Sequence, residues 1–74
     1  MIKDIIEAIR GNYGLYILKK DGSFGECIDV DYKAPFAEFM KNKRRALELA
    51  ERTDLKLDSI SNMNESIIIC VKEV

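Results

Sequence analysis

Ile2, Ile5, Ile6 and Ile9 fall at i, i+3, i+4 and i+7, with Lys3, Asp4, Glu7 and Arg10 between them. That spacing puts the apolar side chains on one face of a short helix and the charged ones on the other. Gly11 and Asn12 supply a stop. A helix of two to three turns cannot stand alone in water, so this one must lie on something apolar. The period changes at Tyr13. Tyr13 to Leu18 is apolar at both odd and even positions, which predicts a strand. Lys19-Lys20-Asp21-Gly22-Ser23 carries an Asp-Gly turn signal, and Phe24 to Val30 resumes as a strand with Phe24, Ile28 and Val30 in phase. The pair predicts an antiparallel hairpin, with Gly25 marking a bulge.

Asp29 to Pro35 reads as a linker, and Pro35 suits a helix start because its missing N–H has no partner there anyway. A long helix is predicted from Pro35 to Arg52, with Phe36, Phe39, Met40, Ala46, Leu47 and Ala50 on its apolar face. Leu55 to Met63 predicts a weaker strand whose phase slips between Leu57 and Ile60, the mark of a bulge or bend. After a turn at Asn62-Met63-Asn64-Glu65, Ser66 to Val74 is the clearest strand. Its run Ile67 to Val71 is apolar on both faces and belongs in the middle of a sheet. The expectation is an α/β domain of the α+β type in the order α-β-β-α-β-β. Its four-stranded sheet is mostly antiparallel, with a helix packed on each face.

Seventy-four residues make a single domain, residues 1–74, with a small core and little stability to spare. The start of the chain has no apolar run of the kind a secretion signal needs, and no segment approaches the roughly 20 apolar residues of a membrane helix. A cytoplasmic, reducing location follows as the expectation, with Cys27 and Cys70 as buried thiols rather than a disulfide. Twelve basic and 13 acidic residues give a net charge of −1, which weighs against a dedicated nucleic-acid binder.

Candidate chemistry is sparse. The chain has no histidine, so the commonest general base is missing and neither cysteine has an activating partner. No catalytic residues, cofactor or metal site are expected, and the protein is read as no enzyme. Asp29 and Asp31 are the one carboxylate pair with oxygen-ligand potential for a divalent cation, set against the plainer reading of a strand end with Asp31 as a cap. Lys41, Lys43, Arg44 and Arg45 form a basic cluster. Lys41, Arg44 and Arg45 are the candidates for nucleic-acid contact, set against a solvated face tied by Arg44–Glu48 and Glu48–Arg52 pairs. Lys43 falls near the apolar face and must snorkel. A sheet this small covers only part of the stripe at Phe36, Phe39 and Met40, and any surplus points to a helix-to-helix dimer contact, set against the plainer reading that all three pack on the sheet.

Several stretches together resemble the roadblock family of small α/β domains. They are the isoleucine-rich helix Ile2 to Ile9, the strand and Asp-Gly turn Gly14 to Ser23, and the helix texture Ala46-Leu47-Glu48-Leu49-Ala50-Glu51-Arg52. Leu57-Asp58-Ser59-Ile60-Ser61 and the final strand Ile67 to Val71 complete the set. Family members usually continue with a further strand and often a helix, so the resemblance implies a version shortened at the C-terminus. It also implies a non-catalytic homodimer, joined through the long helix and the strand after it. Its interface would draw on Phe36, Phe39, Met40, Lys43, Leu47, Leu57 and Ile60. The implied role is that of an adaptor or regulator binding a small Ras-like GTPase or another protein. The alternatives are a small protein that modulates a partner enzyme through an exposed strand edge, and a nucleic-acid module using the basic helix.

Overall fold

The computed structural model describes residues 1–74. Helix α1 spans Ile2–Ala8, β1 Tyr13–Leu18, β2 Phe24–Val30, α2 Phe36–Ala50, β3 Leu55–Met63 and β4 Ser66–Glu73. The four strands form one sheet in the order β2-β1-β4-β3. Both outer pairs are antiparallel, whereas the central β1–β4 pair is parallel, running from Tyr13↔Ile67 to Leu18↔Lys72. The sheet is therefore mixed. The two central strands are the two that are apolar on both faces. The architecture is α+β.

Cross-strand register sorts the side chains by face. Tyr13, Leu15 and Ile17 of β1 share a face with Val30 and Ile28 of β2 and with Ile67, Ile69 and Val71 of β4. This is the core face: Leu15, Ile69 and Val71 have no accessible surface. Ile2 and Ile6 of α1 and Ala46, Leu49 and Ala50 of α2 belong to the same buried cluster. The helices also touch each other, Lys3 of α1 reaching Glu51 at the end of α2 at 3.7 Å. The expected helix on each face is thus corrected. Both helices cover one face and the other is open. The physical reason lies in the short first helix, which finishes its burial against α2 as well as against the sheet.

The open face carries Gly14, Tyr16 and Leu18 of β1, Cys27 and Asp29 of β2, and Ile68, Cys70 and Lys72 of β4. Two bulges decide what else faces where. Between Tyr16↔Cys27 and Leu18↔Phe24, β2 spends one residue more than β1, around the predicted Gly25. That extra residue turns Phe24 away from Ile28 and Val30, with which the sequence put it in phase. Phe24 instead joins the open face and meets Tyr16 edge to face, ring centroids 6.3 Å apart. The second bulge, at Asp58, lies between Leu57↔Val71 and Ser59↔Cys70. It keeps Leu57 and Ile60 both on the helix side, opposite Val71 and Ile69. Cys27 and Cys70 are both neighbours of Tyr16, on strands flanking β1. Two strand spacings, about 9.6 Å, separate them, which is too far for a disulfide. Cys27 is exposed and Cys70 half-buried, contrary to the expectation that both are buried.

Candidate interaction surfaces

On α2, Phe36, Met40, Lys43 and Leu47 fall at i, i+4, i+7 and i+11, one stripe beside the buried one. Phe36 is 76% exposed and Met40 37%, whereas Lys43 and Leu47 are half-buried. Phe39 turns inward, packing against the core cluster and stacking on Tyr32 at 4.7 Å. The Lys43 ammonium lies over the Phe39 ring, 5.6 Å from its centre, so the expected snorkelling takes the form of a cation–π contact. Leu57 and Ile60 project from β3, 41% and 51% exposed. They do not adjoin the α2 stripe. Of the strands, α2 lies closest to β2, at one edge of the sheet, and β3 forms the other. The seven residues therefore make two separate apolar surfaces.

The basic cluster divides as well. Arg45 makes two hydrogen bonds to Glu26 of β2, from Nε and Nη2, each 2.7 Å, and a longer one to Glu48. Its charge is spent within the fold, and the bound guanidinium holds the Glu26 carboxyl below its usual range. Glu48 thus pairs with Arg45 rather than with Arg44 or Arg52, correcting the predicted pairs. Arg52 instead joins Asp54 and Glu73. Lys41 and Arg44 remain exposed without a carboxylate within 4 Å, beside the acidic Glu26 and Glu48.

Asp29 and Asp31 part company. Asp29 sits on the open face, where its Oδ1 accepts from the Tyr16 hydroxyl at 3.5 Å. Asp31 accepts from the Lys33 N–H at 2.8 Å and closes the linker turn, not the helix, whose N-cap is Pro35. No three histidine, cysteine, aspartate or glutamate side chains converge as metal ligands would. The Cys70 thiol is pushed up by burial first, then by Asp58 and Cys27, so it stays protonated and unreactive.

Sequence reasoning reads Tyr13, Tyr16 and Tyr32 as partner-facing aromatics or as caps on a core edge, and gives no sign of two features. One is the open sheet face with Tyr16 and Phe24. The parity of β2 hid it, because the bulge reverses Phe24. The other is Tyr13, which is 4% exposed and whose hydroxyl is buried without a hydrogen-bond partner. Burial and the nearby Tyr32 push its pKa up to about 12, so it remains a proton donor. It sits in a cleft between the helices, where Ile9 and Arg10 at the end of α1 approach Lys43 and Leu47 of α2.

No helix is long and apolar enough to cross a membrane. No protein-family model, curated protein or solved structure matches the chain.

Proposed function

We propose that this chain is a non-catalytic adaptor that self-associates as a homodimer through the free edge of β3. In this reading the α2 stripe at Phe36 and Met40 is left to meet a further protein, such as a small Ras-like GTPase. The observation that carries the reading is β3 itself. It is an edge strand of nine residues, all exposed except Leu55, and it presents Leu57 and Ile60 as apolar side chains beside an unpaired backbone ladder. Long exposed edges are templates for another strand; Lys56 and the Asp58 bulge interrupt this one, which leaves Ser59 to Met63 as the regular stretch open to pairing. A second β3 running antiparallel would extend the sheet to eight strands. The resemblance to roadblock domains points the same way, since it implies joining two sheets into one. A nucleic-acid role has less support, because Arg45 is engaged by Glu26 and Glu48.

Light scattering at micromolar concentration in reductant tests this. The expected mass is twice the 8.5 kDa of one chain. Ile60→Asp should return the monomer by placing a charge at the joined edge, whereas Met40→Lys should leave the dimer intact. A wild-type monomer, or an Ile60→Asp variant that remains dimeric, overturns the β3 interface. A monomer that forms a one-to-one complex with an enzyme through the same edge favours enzyme modulation instead.

A further inference from the structure

The cleft between the end of α1 and the middle of α2 has a volume of about 630 Å3, within the span of small-molecule sites. Part of its wall is apolar, formed by Ile6, Ile9 and Leu47. Two cations border it, Arg10 and Lys43, and neither has a carboxylate within 4 Å. Glu7 is the one acid in the lining, so the cleft is net positive in a protein that is net negative. At its inner side stands Tyr13, whose hydroxyl is the one buried side-chain polar atom without a partner. A buried hydroxyl with nothing to donate to costs stability, and such groups in native folds call for an acceptor.

We propose that this cleft binds a small amphipathic carboxylate. The hydrocarbon body lies against Ile6, Ile9 and Leu47, the carboxylate sits between Arg10 and Lys43, and one of its oxygens accepts from the Tyr13 hydroxyl. The hydroxyl is closed to solvent, so the ligand oxygen reaches it only as a neighbouring side chain moves. Charge selects the head group, because neither Arg10 nor Lys43 has a carboxylate partner and both favour an anion, Lys43 keeping its place over the Phe39 ring. The apolar wall selects the tail, because it returns nothing to a fully polar molecule.

Decanoate is the probe, titrated against the intact chain and followed by backbone amide shifts, with decanol as its neutral counterpart. Saturable one-to-one shifts centred on Ile6, Arg10, Tyr13 and Leu47 are expected, with decanol much weaker. Arg10→Gln and Lys43→Gln should each weaken decanoate about tenfold, the scale of one charge-assisted hydrogen bond. Tyr13→Phe should weaken decanoate while leaving the melting temperature unchanged or higher, because it removes the unpartnered hydroxyl. That combination separates a binding role from a packing role. Four results overturn the proposal: no saturable shifts, equal binding of decanol, shifts centred on Phe24 and Ile68 of the open face, or undiminished decanoate affinity in Tyr13→Phe.

Discussion

Arg45 grips Glu26 with two parallel hydrogen bonds, each 2.7 Å, and so ties the middle of α2 to the edge strand β2. The two residues are 19 positions apart in the chain and meet on the rim of the core face. Bidentate geometry of this sort has orientation as well as attraction behind it.

The pair makes stability sensitive to acid. The Arg45 hydrogen bond holds the folded Glu26 carboxyl below its ordinary value of 4.5, and Arg52 does the same for Asp54. A carboxyl whose folded pKa lies below its unfolded one contributes stability that is complete above the unfolded value. That stability is lost as pH falls through the folded one. Urea midpoints should therefore be flat near neutral pH and decline below about pH 4.5. In Glu26→Gln the decline should be shallower, with a lower midpoint at pH 7. An unchanged acid limb in that variant would assign the sensitivity to the other carboxyls.

Gly14 sets the shape of the open face. A Cβ there would lie 2.7 Å from Tyr16 Cε1 and 2.8 Å from Asp29 Oδ1. The Tyr16 ring leans back across Gly14 to bring its hydroxyl to Asp29. Gly14→Ala should cost about 1 kcal/mol, because both neighbours are movable ends of side chains rather than backbone. Adding Tyr16→Ala should make the Gly14 change milder than it is alone. Additive effects in chemical denaturation would show that the two positions do not meet.

The β3–β4 hairpin turns through Asn64 and Glu65, with φ of 49° and 65°. Two-residue turns of this hand want glycine at the second central position, and glutamate there is held in a left-handed conformation that disfavours a Cβ. Glu65→Gly should stabilise the protein by about 0.5–1 kcal/mol, after the greater freedom of glycine in the unfolded chain is set against the relieved strain. A thermal melt checks it, and a lower melting temperature would refute the turn assignment.

Period and turn chemistry were enough to read the elements. The isoleucine spacing located α1, Asp21-Gly22 located the first hairpin, and the slip between Leu57 and Ile60 located the Asp58 bulge. Pairing was less legible. The run Ile67 to Val71 placed β4 inside the sheet, but the strand order stayed open, and the parallel direction of β1 and β4 depends on where α2 and β3 deliver the chain. The composition of the open face was hidden because Phe24 looks in step with Glu26, Ile28 and Val30 until the bulge is counted. Ion pairs were misassigned because helical spacing favoured Arg44–Glu48, whereas Glu26 came from a distant strand. Tyr13 read as an ordinary aromatic, since nothing local announces that a hydroxyl will lack an acceptor.

The parallel contact between β1 and β4 joins Tyr13 to Ile67, 54 positions further along the chain. The middle of the sheet is thus closed by the strand that is made last of the four. Until it emerges, β1 has one finished neighbour and a bare apolar flank, and no hairpin can substitute for the missing strand. Folding of the sheet should wait for β4 and proceed slowly for so short a unit. Within the cell, the interval between synthesis and closure is when this protein is most exposed to capture by chaperones.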